Sequence, residues 1–247
     1  MNEHIIFGRN AVEEALRAGG RVNRLFLSSE SRAPWTDPLA DLAKAQQARV
    51  ELAPMAKLNR LAHSRDHQGV VAFVSPVAHI SLDQCLANCQ GRTALLALDG
   101  VANPRNLGML LRTALGAGVA GVLLPVRGGA LMSEDVVRAS AGAALRVPVV
   151  HCTNMARALR TLKDADFWVY GLDAAGDTDV FGLSWASRTV LVVGNETEGL
   201  RPVIRKRCDA MVRIPLASRL DSLNVSVAAG IALFQVTAHH RREAKAE

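Results

Sequence analysis

The sequence predicts an α/β fold in which a largely parallel sheet is covered by helices on both faces and preceded by a small α/β unit. Three observations predict it. From residue 93 onward, apolar runs of strand length alternate with amphipathic helical stretches, the pattern of strands buried on both faces. Three of the strand ends run into turns rich in glycine, proline or amides, where such sheets place ligand loops. Ser75-Pro76 interrupts an earlier α/β stretch, because proline lacks a backbone donor and pushes the preceding residue toward extended geometry.

In chain order, residues 5–74 read as one compact unit, with a capped helix at 10–16, a strand at 22–27, a helix at 37–47 and a strand at 70–74. A helix at 81–87 falls in a connecting segment, so the expected division is a domain at 1–75, a linker at 76–92 and a second domain at 93–247. In that second domain the expected strands are 93–98, 119–124, 147–150, 167–171, 189–193 and 210–214. Helices are expected at 107–117, from 133, at 154–163, after 199 and from 223 to about 239.

Composition narrows the function. At 247 residues and 49% hydrophobic content the chain can bury a sizeable core. No run reaches the roughly 18–20 uncharged apolar residues of a membrane span, and Met1-Asn2-Glu3-His4 is not the basic start of a secretory signal, so a cytoplasmic protein is expected. Cys85, Cys89, Cys152 and Cys208 lack CxxC pairing and disulfide-scaffold density; reduced thiols and no metal site are the expectation. A net charge of +6 favours an anionic partner such as nucleic acid. With aromatics at only 4%, a base-stacking sheet is disfavoured, and shape and phosphate contacts should dominate any RNA binding. The clearest basic patches are Arg201, Arg205, Lys206 and Arg207, and the tail Arg241, Arg242 and Lys245; His239-His240 beside that tail suits a helix C-terminus.

A GxGxxG match at Gly116-Ala117-Gly118-Val119-Ala120-Gly121 sits in the wrong context for a dinucleotide site. It closes a helix and enters a strand, so it reads as a helix stop. The three junctions carry more. In Asn103-Pro104-Arg105-Asn106-Leu107-Gly108, Asn106 is placed to cap a helix whose stripe is Leu107, Leu110, Leu111, Ala114 and Leu115, while Arg112 points about 140° from Leu107, toward solvent or a cleft. Gly194-Asn195-Glu196-Thr197-Glu198-Gly199 sets two carboxylates between glycines after a strand; they fit dipole partners at a helix start as well as ligand contacts. Ile214-Pro215-Leu216 leads through an exposed loop to Ser222-Leu223-Asn224, where Ser222 fits an N-cap and the Asn224 amide can both donate to and accept from a ligand.

These residues resemble the SPOUT superfamily of methyltransferases, and within it the family that methylates ribose 2′-hydroxyls of RNA. The motifs N-P-R-N-L-G-x3-R, G-N-E-x-E-G and I-P-L with S-L-N-V-S-V-A occur in order over Asn103–Arg112, Gly194–Gly199 and Ile214–Ala228. Ser140-Ala141-Gly142-Ala143 before Val147-Pro148 extends the likeness, as do Phe7-Gly8-Arg9-Asn10-Ala11-Val12 and His67-Gln68-Gly69-Val70. The N-terminal matches resemble the small L30e-like RNA-binding domain of bacterial enzymes that methylate a guanosine in 23S ribosomal RNA. The resemblance implies a C-terminal trefoil knot, S-adenosyl-L-methionine as cofactor, ribosomal RNA as substrate and a homodimer. By motif it assigns Asn106, Arg112, Glu198, Ser222 and Asn224 to the catalytic neighbourhood, and Gly194, Ile214, Leu216 and Leu223 to the cofactor. Ser218 stands where the family usually has glycine.

Under that resemblance Arg112 fits a phosphate clamp better than a base, since a guanidinium with pKa above about 12 is a poor proton acceptor; a phosphate oxygen or Glu198 then helps the hydroxyl proton leave. The alternatives are a transfer-RNA ribose methyltransferase, disfavoured by the N-terminal unit, a non-catalytic RNA-binding assembly factor, disfavoured by the intact polar residues, and a nicotinamide oxidoreductase, disfavoured by the misplaced glycine motif.

Overall fold

The computed structural model describes residues 4–17, 22–31, 33–75, 79–130, 132–217 and 222–245. Ser218, with Arg219 and Asp221 of the same loop, lies outside the described residues, as do 76–78 of the expected linker. The first elements are β1 (His4–Phe7), α1 (Arg9–Arg17), β2 (Val22–Ser28), α2 (Thr36–Ala45), β3 (Arg49–Ala53), α3 (Met55–Ala62) and β4 (Val70–Val74). Then come β5 (His79–Ile80), α4 (Leu82–Ala87), β6 (Thr93–Asp99), α5 (Pro104–Ala117), β7 (Gly121–Pro125), α6 (Glu134–Ala139) and β8 (Val149–Cys152). The chain ends with α7 (Met155–Asp164), β9 (Trp168–Leu172), β10 (Thr178–Asp179), β11 (Arg188–Gly194), α8 (Pro202–Arg205), β12 (Ala210–Arg213) and α9 (Val225–Glu243).

Contacts divide these elements into two units, Met1–Ala78 with Leu131–Arg146, and His79–Ala130 with Val147–Glu247. The first holds a four-stranded sheet in the order β1-β4-β2-β3, in which only β2 and β3 run parallel. Strand β3, Arg49–Ala53, escaped the sequence reading because it carries two charges in five residues and no clean alternation. The Phe7-Gly8-Arg9 and His67-Gln68-Gly69 motifs meet here. Gln68 Oε1 accepts from the Arg9 N–H at 2.9 Å, and the buried His67 accepts from the Gly69 N–H while its other ring nitrogen meets Asn59. The Ser140-Ala141-Gly142-Ala143 motif packs on the same unit: Gly142 has φ +87°, and a Cβ there would come within 2.9 Å of the Glu14 side chain and 3.0 Å of the Ala11 carbonyl oxygen.

The second unit holds an eight-stranded sheet in the order β10-β12-β9-β11-β6-β7-β8-β5, with every described pairing parallel. All seven residues of β6 are buried, as expected for a strand covered on both faces. The two-residue β5 pairs with β8, so part of the expected linker joins the sheet as its edge; two residues are too few for any periodicity to betray them. From β6 the chain builds β7 and β8 to one side and then crosses to β9 on the other, leaving a switch point beside β6. Strand β11 later fills the place between β6 and β9, and its last residue, Gly194, pairs in register with Asp99 at the end of β6.

Two helix starts differ from expectation. Asn103, not Asn106, caps α5, accepting from the Arg105 N–H at 2.9 Å, because Pro104 fits the first helical position where no donor is needed. Asn224, not Ser222, caps α9. The helix expected after Gly199 shrinks to the single turn α8. Helices α5 and α9 pack together, with Gly230 against Thr113, and α5 stops at Gly118, inside the glycine-rich stretch read as a helix stop.

Candidate active site

The in-register pairing of Gly194 with Asp99 brings the loops after β6 and β11 side by side, at the carboxyl ends where open α/β sheets bind ligands. The loop after β11 is not a helix start. Asn195 and Gly199 exchange backbone hydrogen bonds at 2.9 and 3.0 Å, and the Asn195 Oδ1 accepts from the Thr197 and Glu198 N–H groups, closing a tight turn. Gly194 is required by close approach: a Cβ there would lie 2.2 Å from the Gly199 carbonyl carbon. Asn195 also donates to the Gly100 carbonyl at 2.8 Å, tying the two loops together.

The turn directs Glu196 at the start of α5. Its carboxylate accepts from the Ala102 and Asn103 N–H groups, each at 3.2 Å, and from Asn106 Nδ2 at 2.9 Å. Burial works to raise the Glu196 pKa, but the bonds from Asn106 and from the backbone N–H groups of Glu196, Ala102 and Asn103 outweigh it, and the net shift is downward. Asn106 Oδ1 in turn accepts from Asn224 Nδ2 at 3.1 Å, and Asn224 Oδ1 accepts from the Ser226 N–H and hydroxyl. A polar chain Glu196–Asn106–Asn224 therefore links all three sequence junctions. It fixes which end of each amide faces which neighbour.

Beside this chain lies a cavity of ≈ 320 Å³ at the carboxyl ends of β9, β11 and β12. Among the assigned residues its walls include Gly194, Glu198, Ile214, Leu216, Ser222 and Leu223. The mixture suits a ligand with both an apolar ring and polar groups, since Ile214, Leu216 and Leu223 supply apolar surface while the turn at 194–199 supplies backbone edges. S-adenosylmethionine has that character, and the residues present fit it.

Asn106 and Asn224 do not line the cavity but stand together at its edge through Glu196 and Val225. Arg112 is exposed on α5, about 9 Å farther along the helix axis than Asn106, and has no hydrogen bond or ion pair among the described residues. Glu198 is exposed. By sequence Glu196 fits a dipole partner as well as a ligand contact, and its place as the hub is invisible there, because only tertiary folding brings Ala102 to it from 94 residues away.

Part of the basic patch is already engaged. Arg201 holds the fully buried Asp99 through Nε and Nη2, and Arg205 pairs with Asp173. His240 is not a solvated cation at the end of α9: it is buried, with Nε2 2.8 Å from the Ala186 carbonyl, and burial lowers its pKa. Burial pushes Cys85 and Cys208 up to about 12 and Cys152 to about 11, so these thiols are poor nucleophiles at neutral pH.

Comparison with known proteins places the chain in a family. The SpoU rRNA methylase family model matches residues 93–234, and a model for RNA 2′-O ribose methyltransferase substrate binding matches residues 5–79. A Staphylococcus aureus protein assigned to the TrmH family of tRNA/rRNA methyltransferases is 36% identical over 239 residues, 96% of each chain. The AdoMet-bound rRNA methyltransferase of Sinorhizobium meliloti superposes with a TM-score of 0.79 at 28% identity, over 96% of this chain and 87% of that one. The TrmH/SpoU tRNA modifying enzyme of A. aeolicus superposes with a TM-score of 0.56 at 26% identity, over 66% of this chain and 82% of that one.

Proposed function

The chain belongs to the SpoU rRNA methylase family, S-adenosylmethionine-dependent enzymes that methylate RNA ribose 2′-hydroxyls, and from that premise we propose that it methylates a guanosine ribose in 23S ribosomal RNA. The observation that carries the site assignment is the Glu196–Asn106–Asn224 chain beside the 320 Å³ cavity. Ribosomal RNA is favoured over transfer RNA by coverage. The rRNA enzyme of Sinorhizobium meliloti aligns over 96% of this chain, including the N-terminal unit, whereas the tRNA modifying enzyme aligns over 66%.

In this reading Gly194, Ile214, Leu216 and Leu223 hold the cofactor, largely through backbone groups and apolar contact. When bound, S-adenosylmethionine supplies a methyl group made electrophilic by a sulfonium. Asn106 and Asn224, oriented by Glu196, position the ribose for in-line attack, and alignment in a water-poor cleft supplies much of the acceleration. Arg112 clamps the neighbouring phosphate, Ser222 completes the polar edge, and the hydroxyl proton leaves to a phosphate oxygen or to Glu198. The trefoil knot that the resemblance implies belongs to the same proposal.

We also read the enzyme as a homodimer. Met109 on α5 and Val227 and Phe234 on α9 are 41, 51 and 47% exposed, a row of large apolar side chains on the packed helix pair. Arg112 lies three residues from Met109, on the face a second copy would cover.

The test is to map ribose methylation in ribosomal RNA from cells lacking the protein, restored with wild type or Arg112→Ala. One guanosine in 23S RNA should lose its methyl group and regain it only with wild type. No lost site in ribosomal RNA overturns the assignment, and a lost site in transfer RNA supports the transfer-RNA reading instead.

A further inference from the structure

A second cavity, of ≈ 380 Å³, lies wholly within the N-terminal unit between α1 and α2, its walls including Arg9, Glu13, Arg17, Trp35, Leu39 and Leu42. It is of the size that binds small organic groups. Its construction follows from how α1 is covered. Ala11, Val12, Ala15 and Leu16 face the core, and Glu14 is engaged by Arg146 and lies against Gly142, which leaves no room for a Cβ there. That leaves the i, i+4, i+8 row Arg9, Glu13 and Arg17 facing the cleft.

The Glu13 carboxylate sits between both guanidiniums, 2.8 Å from Arg17 and 3.8 Å from Arg9. Across from it the half-buried Trp35 begins α2, with Leu39 and Leu42 one and two turns farther along that helix.

We propose that this cleft captures one unpaired guanine of the substrate RNA, and this rests on the reading of the chain as an RNA methyltransferase. The indole offers a stacking face for a base, which is worth about 1–3 kcal/mol per base, roughly 5- to 150-fold in affinity. Arg9 and Arg17 supply cations for the flanking phosphates. Glu13 sets the base identity. A carboxylate only accepts, and the Watson–Crick edge of guanine presents two adjacent donors, N1–H and N2–H, whereas uracil presents one donor between two acceptors. The flanking guanidiniums offset the carboxylate charge, so the site admits a polyanion while keeping an acceptor for the base. None of these residues belongs to the catalytic assignment, so the cleft acts on RNA selection and not on methyl transfer.

The experiment uses the full chain and fluorescein-labelled ten-nucleotide oligoadenylates carrying one central guanosine, one inosine, or no substitution, with fluorescence anisotropy as the readout. Wild type should bind the guanosine probe about tenfold more tightly than the unsubstituted one, with inosine, which lacks the 2-amino group, in between. Trp35→Ala should weaken the guanosine probe about tenfold, Trp35→Phe should restore part of that loss, and Glu13→Gln should abolish the preference for guanosine over inosine. Thermal melting of each variant separates loss of binding from loss of folding. If Trp35→Phe and Glu13→Gln fold and bind all three probes as wild type does, the cleft proposal is overturned. A wild type that methylates RNA without preferring the guanosine probe overturns the cleft but leaves the enzyme reading intact; one that neither binds nor methylates RNA overturns both.

Discussion

Replacing Glu196 with alanine removes the acceptor that holds the start of α5 against the turn after β11. Three donors lose their partner: the Ala102 and Asn103 N–H groups at 3.2 Å and Asn106 Nδ2 at 2.9 Å. A buried hydrogen bond to a charged group contributes about 1.5–3 kcal/mol. Glu196 is solvent-exposed, so water replaces it at the freed donors; at a third of that value per bond the three together give a loss of about 2 kcal/mol.

Turnover should suffer along with stability. Without Glu196 the Asn106 amide loses its anchor on the Nδ2 side, while Asn224 stays held by Ser226; misplacement of a positioning group by about 1 Å costs on the order of 100-fold. The expected result is a kcat drop of roughly 10- to 100-fold in tritiated methyl transfer at saturating RNA. Urea unfolding should give the 2 kcal/mol.

Acid supplies a second readout. Because the folded Glu196 pKa lies below its ordinary 4.5, the stability advantage of wild type over Glu196→Gln is fully present above pH 4.5. It closes as pH falls through the folded value. A Glu196→Ala enzyme with wild-type kcat and an unchanged urea midpoint would refute the reasoning.

Four further outcomes follow from the same geometry. Arg112→Ala should leave stability within about 0.5 kcal/mol, since that side chain is exposed and without a described partner, yet weaken RNA binding and turnover; near-normal turnover and RNA affinity in Arg112→Lys would exclude the phosphate clamp. Gly194→Ala forces a Cβ to 2.2 Å from Gly199, so thermal melting should show a loss of at least about 2 kcal/mol and calorimetry a loss of S-adenosylmethionine binding. His240, with its pKa held below 6.5 by burial, favours folding above pH 6.5 and withdraws that contribution as pH falls through its folded value; the Tm of wild type should drop more between pH 8 and pH 5.5 than that of His240→Gln. Phe234→Glu places a charge on the exposed apolar face of α9; on the homodimer proposal, light scattering should report a dimer for wild type and a monomer for the variant.

The order of strands and helices in the second unit was legible because the central strands β6, β7 and β11 are buried on both faces and α5 and α7 each carry one apolar stripe. What escaped was short or locally ambiguous. Strands β5 and β10, of two residues each, carry no period, and β3 is interrupted by charge. The helix caps were misplaced by two or three residues, because Asn103 and Asn106, or Ser222 and Asn224, are equally good caps until backbone geometry chooses.

Of the site, residue types and motif order were readable in the chain, and the matched families agree with the methyltransferase class that those motifs implied. The partners of those residues were not. Glu196 reaches Ala102 across 94 positions and Asn224 reaches Asn106 across 118, pairings that exist only because β11 inserts beside β6 and α9 packs on α5. Local periodicity and turn chemistry depend on neighbours a few residues apart, so the sequence alone determined the order of the main strands and helices of the second unit and which chemistry they carry. Only the tertiary structure decided that Glu196 is the hub of the polar chain, that His240 is buried and that two arginines are held by aspartates, because hydrogen bonding and desolvation depend on neighbours in space.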